Sequence, residues 1–285
     1  LLHLVPGNPA ALMLGEGARA EDVAALEARL GLDRPMGEQY ARFMGRLLRG
    51  DLGESFRYEA PVREVIGERL PATALLAAVS FFFSAALAFA LGLASVIRRA
   101  ADRASFVFAL AAVSLPTFGL GPLLLYAFSL RLDWLPVSGS GSAAHLVLPA
   151  VTLGLAFAAV LARVIRASLL ETLGEDYIRS ARAKGLSEGV VLARHALRNA
   201  MLPVATLLGL HLGHLFTGAV ITETIFSWPG VGRLLYQSIQ FRDYPVIQGV
   251  VLFTAVAYIA MNLLTDLAYA ALDPRVRRAY GGGAA

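Results

Sequence analysis

Cysteine is absent from the 285 residues, and lysine occurs once, at Lys184. Without cysteine the chain has neither a disulfide framework nor a thiolate metal centre, and no redox compartment is legible from thiols. A phosphate-binding loop needs Gly-Lys-Ser/Thr, but Lys184 stands between Ala183 and Gly185, so the chain carries no nucleotide loop of that kind. Charge is scarce as well. Only 16% of residues are charged against 57% hydrophobic, and the mean hydropathy is +0.62, more apolar than a water-soluble domain usually is. The basic side chains present are nearly all arginine, and the net charge is +4 with a pI of about 9.6. That balance fits nucleic acid or a membrane, and the placement of the arginines has to decide.

The arginines gather at the ends of apolar runs, which points to a membrane and away from nucleic acid. From Pro71 to Ile97 and from Ala104 to Leu130 there is no charged residue, and each run exceeds the roughly 20 residues that cross a hydrocarbon core. Leu146 to Ala162, Met201 to Thr222 and Val246 to Leu272 complete five predicted spans. Leu1 to Val5 read as the tail of a sixth, first span. Residues 6 to 70 are polar with helical stretches at Glu21 to Leu30 and Glu38 to Leu48, and predict a small extramembrane domain. The predicted organisation is thus a helix tail at 1–5, a domain at 6–70, a five-helix core at 71–272 and a tail at 273–285. Arg98, Arg99 and Arg103, the arginines of the 163–200 segment, and Arg275, Arg277 and Arg278 lie on one side by the positive-inside rule. This side is the cytoplasm, so the C-terminus is expected there and residues 6–70 outside the cell.

The 163–200 segment is long for a connection and mixes apolar with basic residues. Tyr177, Ile178, Ala181 and Arg182 are spaced for one face of a short helix, and Gly185 suits a left-handed end to it. Ser187 can cap a second helix that runs into the next span. Two readings stand on these residues alone: a rigid knob that takes mechanical work from a soluble partner, or a basic amphipathic helix lying on anionic lipid.

The stretch EDYIRSARAKGLSEGVVLARHALRNAMLPV, Glu175 to Val204, resembles the cytoplasmic signature loop of ABC importer permeases of the dipeptide, oligopeptide and nickel branch. That loop has the general form Glu-Ala-Ala, three residues, Gly, nine residues, Ile-x-Leu-Pro. Gly185 matches the glycine, while Arg179, Ser180 and Ala181 stand where Glu-Ala-Ala is expected, so the glutamate has no counterpart. His195, Leu197 and Arg198 occupy the Ile, Leu and Pro places, with Leu202-Pro203 slightly later. The likeness extends through LVPGNPA at Leu4, RGDLGESFRY at Arg49, ERLPAT at Glu68, DWLPVSG at Asp133, ETIFSWPGVGRLL at Glu223, RDYPVIQG at Arg242 and LDPRVR at Leu272.

The resemblance implies an all-helical, multi-pass inner-membrane permease of the type I ABC importer fold, with six transmembrane helices. It implies no catalysis and no cofactor in this chain, with ATP and magnesium bound by partners. Those partners are a second homologous permease, two cytoplasmic ATP-binding subunits, an extracellular substrate-binding protein and membrane lipid. The cargo is expected to be di- or oligopeptides, with nickel or oligosaccharides as the alternative. An ion-coupled secondary transporter is a further reading, but it expects buried ionisable coupling sites. The spans at 71–97 and 104–130 have none.

The resemblance marks Glu175, Asp176, Tyr177, Ile178, Arg179, Ala181, Arg182, Ala183, Lys184, Gly185 and Leu186 as the ATPase-coupling residues. Glu223, Phe226, Trp228, Pro229 and Gly230 are expected to form an extracellular gate that covers the pathway, or else an interfacial belt around a tryptophan. Ser114 and Pro116, in a stretch with two prolines and two glycines, either line the pathway or form an ordinary kink. Asn262 and Asp266 are candidates for lining the pathway or pairing with a neighbouring helix, and Asp266, near the cytoplasmic end of its span, is read as interfacial. His211 and His214 share a helix face, but no third ligand is evident, so no metal site is predicted.

Overall fold

A computed structural model of the chain describes residues 9–15 and 17–272. The segments Leu1–Val5 and 273–285, expected as the first-helix tail and the terminal tail, lie outside them. Twelve helices and an isolated bridge between Glu54 and Pro61 make up the regular structure among the described residues. Three of the helices are long and apolar enough to span by themselves: α4 (Val62–Ile97), α7 (Ala144–Leu173) and α12 (Tyr244–Leu272). Two bent helix pairs pass the same test together, which makes five spans if each pair is one.

The first bent pair falls in the run expected to span from Ala104 to Leu130 and breaks it sharply. Helix α5 (Arg99–Ser114) stops, and α6 (Thr117–Leu124) leaves at 105° to it, continuing as a π-helical stretch to Arg131. The cause is local. A proline ring clashes with α-helical backbone at the residue before it, and Leu115, ahead of Pro116, is extended at φ −94°, ψ 113°. Pro116 then occupies the capping position of α6, where its missing N–H costs nothing. Ser114 and Pro116 are both exposed.

The chain divides into two compact units, with boundaries inside α4 and α12. One joins residues 1–73 to Pro229–Ala255. It contains α1 (Pro9–Leu14), α2 (Ala20–Leu30), α3 (Met36–Leu47) and α11 (Val231–Phe241), with the ends of α4 and α12. Sequence reading had placed 229–255 in the helical core and kept 6–70 separate. Its hydrophobic centre is Val62, Val65, Ile66, Val231, Leu234, Val246 and Val250. A polar knot sits beside it. Asp243, fully buried, accepts from Ser55 Oγ at 2.5 Å and from the backbone N–H groups of Phe56 and Arg57 at 3.2 Å. Arg57 stacks its guanidinium on Phe241, 3.4 Å from the ring centre.

The other unit, residues 74–228 with Val256 onward, is organised around α7, which buries twelve residues. It packs on α5, α6 and α10 (Leu197–Ile225). Helices without a hydrophobic force between them in lipid pack through small residues, and α4 approaches α7 at Gly92. A Cβ there would lie 2.7 Å from Ile165 Cγ2 and 3.0 Å from the Ala162 carbonyl. One ion pair ties α5 to α7, with Arg166 Nη2 donating to Asp102 Oδ2 at 2.7 Å.

Candidate functional site

The 163–200 segment begins as the end of α7. Gly174 caps that helix, Glu175 turns extended, and α8 (Asp176–Ala183) runs for two turns. The predicted face is present. Ile178 and Ala181 are buried in a cluster with Leu161, Ile165 and Leu169 of α7 and Val191, Ala196 and Ala200 beyond the turn. On either side of them, Tyr177 Oη accepts from Asn199 Nδ2 at 2.6 Å. Arg182 donates from Nε at 2.7 Å and Nη2 at 3.1 Å to the two oxygens of Glu188. This hydrogen-bonded pairing raises the Arg182 pKa and lowers that of Glu188, the hydrogen bond being the larger cause and the charge attraction the smaller. The pair is exposed, so solvent screens it.

Gly185 turns the chain with φ +79°, a left-handed conformation that L side chains adopt only at a cost. A Cβ there would meet nothing within 4 Å, so its surroundings leave the outer side of the turn free. Ser187 has the extended backbone of a cap, but its side chain makes no capping bond. The helix that starts at Glu188 becomes π-helical over Val191–Ala196 and continues without a break into α10. Ser168 Oγ of α7 donates to the Ala200 carbonyl at 3.0 Å, bracing the base of this hairpin.

Outward, the segment shows an apolar patch next to charge. Tyr177, Leu186 and Val190 are 40%, 38% and 41% exposed. Glu175, Asp176, Arg179, Ala183 and Lys184 are exposed around them. Chemically this is a braced two-helix protrusion: fixed on its inner face by packing and open on its outer face to another surface.

The 223–230 turn is built in the opposite way. Glu223 is fully buried, and Phe226 and Trp228 are each 2% exposed. A tryptophan that deep does not occupy an interfacial belt. Ser227 takes φ +52°, and the turn is closed by Trp228 N–H donating to the Glu223 carbonyl at 2.8 Å. The Gly139 N–H reaches the Phe226 carbonyl at 3.2 Å. A Cβ at Gly121 of α6 would stand 3.3 Å from Ile225 and 3.4 Å from Phe226, so the bent span after Pro116 packs directly against this turn. Pro229 is half-buried and Gly230 buried.

Asn262 lies apart from both, in α12 against α10. Its Oδ1 would be 3.3 Å from a Cβ at Gly213 and is buried without a hydrogen bond. The Asp266 side chain lies outside the described residues. His211 stacks on Phe157 with ring centres 3.5 Å apart, and His214 meets Tyr258 edge-on. The two histidines therefore face different neighbours. Among the described residues no three metal-ligating side chains converge.

Sequence reasoning passed over Asp243 and its partners, although the signal was there. An aspartate just before a helix start is an N-cap candidate, and Asp243 Oδ1 does accept from Val246 N–H at 3.4 Å at the start of α12. Nothing in the local pattern announced that Ser55 and Phe56 would come to the same carboxylate.

The chain belongs to the family of binding-protein-dependent transport system inner membrane components, whose core description matches residues 85–278. The N-terminal region described for the same membrane components matches residues 1–77. It is a transport permease and not an enzyme, a type I ABC importer permease by fold.

Among its relatives, the glutathione transport system permease protein GsiC of Salmonella paratyphi A is 44% identical over 97% of this chain and 91% of its own. GsiC of Pectobacterium atrosepticum is 43% identical over the same shares. Among solved structures, an amino acid ABC transporter with histidines matches at TM-score 0.59 and 14% identity, over 72% of this chain and 93% of that one. The MetNI methionine ABC transporter in an inward-facing conformation matches at TM-score 0.59 and 16% identity, over 73% of this chain and 96% of that one. At these identities the structures speak for the fold.

Proposed function

We propose that this permease imports small peptides of glutathione size, and that ATP turnover in separate subunits drives it through the hairpin centred on Gly185. The observation that carries the reading is the build of that hairpin: Ile178 and Ala181 fix α8 to the bundle, while Gly185, Leu186 and Val190 face outward. A lever must be stiff toward the part it moves and accessible to the part that pushes it. A lipid-lying helix would need no brace of this kind between Arg182 and Glu188 or between Tyr177 and Asn199.

The partners are a second permease, two cytoplasmic ATP-binding subunits that hold ATP and magnesium, and an extracellular binding protein that delivers cargo. The hairpin and the C-terminus face the cytoplasm, and residues 6–70 face outward with the 223–230 turn as the gate of the pathway. Closure of the ATPase dimer draws the hairpins together and opens the bundle outward, and hydrolysis returns it inward. The size of the cargo follows the curated relatives, whose names give glutathione as theirs.

Reconstituted vesicles test this reading. Glutathione uptake is expected only with ATP and the ATPase subunits, and Gly185→Val is expected to leave the assembly intact and ATP hydrolysis running while uptake is lost. Uptake driven by an ion gradient alone, or normal uptake by the Gly185 variant, rejects the coupling role.

A further inference from the structure

Helices α2 and α3 have no buried residues, yet they do not simply lie in solvent. Between them and the start of α12 is a hollow of about 850 Å³ lined by Arg29, Arg34, Arg42, Arg46 and Arg49 and, among the described residues, by no carboxylate. Arg34 and Arg42 share Glu38, with Arg34 Nη1 donating to Oε1 at 2.5 Å. That carboxyl is held below its ordinary pKa, first by the Arg34 hydrogen bond and then by the two positive charges. Arg29, Arg46 and Arg49 have no ion pair among the described residues. Three guanidinium groups outside any of these ion pairs line one hollow, and guanidinium is suited to two-pronged recognition of carboxylates.

The walls narrow the choice of anion. Tyr40 and Phe56 give the hollow flat apolar sides, which a bare phosphate does not use. A second hollow of about 920 Å³ shares Arg29, Arg46 and Arg49 and adds Asp51, Glu54 and Glu59. The lining thus runs from purely basic to mixed, matching a molecule with carboxylates at one end and an ammonium group at the other. The volume falls within the roughly 300–1,000 Å³ common for small-molecule sites.

We infer that this arginine-lined hollow is a receiving site on the permease for the carboxylates of a small peptide. The inference rests on the peptide-import reading and adds a cargo contact where the N-terminal helices meet the start of α12. Its test uses the purified complete assembly without the binding protein, with labelled glutathione, which has two free carboxylates, in equilibrium dialysis. Saturable binding with Kd below about 1 mM is expected, and the double variant Arg46→Gln/Arg49→Gln is expected to weaken it at least tenfold. Lysine at both positions should recover part of it. Glutathione diethyl ester and inorganic phosphate should fail to compete.

Absence of saturable binding, an unchanged Kd in the glutamine variant, or equal competition by the ester or by phosphate overturns the proposal. ATP hydrolysis by the variant assembly, if retained, shows that it is intact. Loss of ATP-dependent uptake in the unaltered protein would strike the import reading itself, whatever the dialysis shows.

Discussion

The turn at Gly185 and the turn at Ser227 share a backbone device and differ in everything around it. Both use a left-handed residue, at φ +79° and +52°. At Gly185 the outer side is empty. At Ser227 the neighbouring Phe226 and Trp228 are buried and the turn is bonded to Gly139. The first turn is left open by the chain, and the second is closed by it. A residue type follows from this. Glycine bears the strained angle where no packing exists to enforce it, whereas packing holds a serine at one that costs roughly 1 kcal/mol.

The comparison can be broken most severely by removing what packs each turn. Trp228→Ala is expected to cost about 3 kcal/mol or more by leaving a cavity, read as a fall in the melting temperature of the detergent-purified assembly. Ile178→Ala on the inner face of α8 belongs in the same range, about 2 to 4 kcal/mol, whereas Leu186→Ala on the outer face should leave stability within about 0.5 kcal/mol and reduce ATP-driven uptake. Equal thermal effects of the Ile178 and Leu186 changes would erase the distinction between an inner and an outer face.

A smaller effect sharpens the contrast at the turns themselves. Gly185→Ala is expected to destabilise by about 1 kcal/mol through backbone strain alone, and Ser227→Gly should be close to neutral because relief of strain is offset by greater freedom of the unfolded chain. The absence of native cysteine makes a direct topological check simple. Lys184→Cys should react with an impermeant thiol reagent added to everted vesicles, whose outer face is the cytoplasmic one, and labelling in intact cells would remove the coupling hairpin from its place.

The smallest effect concerns the Arg182–Glu188 pair. The Glu188 pKa is lowered in the folded chain, so the pair supports the hairpin at pH values above the ordinary carboxyl value of 4.5. The support is lost as pH falls through the depressed folded value. Glu188→Gln should therefore behave like the unaltered hairpin at low pH and differ from it slightly at neutral pH, read by protease accessibility at Lys184. A difference that grew on acidification would have the wrong sign.

Much of this was legible from residues in order along the chain. The two turns of α8, its Ile178 and Ala181 face and the left-handed Gly185 follow from helical spacing and a glycine at the right place. The spans at α4, α7, α10 and α12 follow from uncharged length. The break between Ser114 and Thr117 was visible as prolines and glycines, yet its 105° angle was not, because a proline removes one helical conformation without choosing among the others. Asp243 was visible as a cap and invisible as a hub, since its Ser55 and Phe56 partners come from nearly the other end of the chain. The arginine hollow was hidden for the same reason: five arginines spread over Arg29 to Arg49 read as solvated helix faces until α2, α3 and the start of α12 enclose them.

The sequence by itself determined that the chain enters a membrane, where its helices run, and which short segment resembles a coupling hairpin, because apolar length, helical period and glycine placement act over neighbouring residues. Only the tertiary structure decided that Trp228 is buried, that residues 229–255 join the N-terminal helices, and that five arginines line one hollow. Those outcomes depend on which distant side chains share a volume, and local spacing contains no information about that.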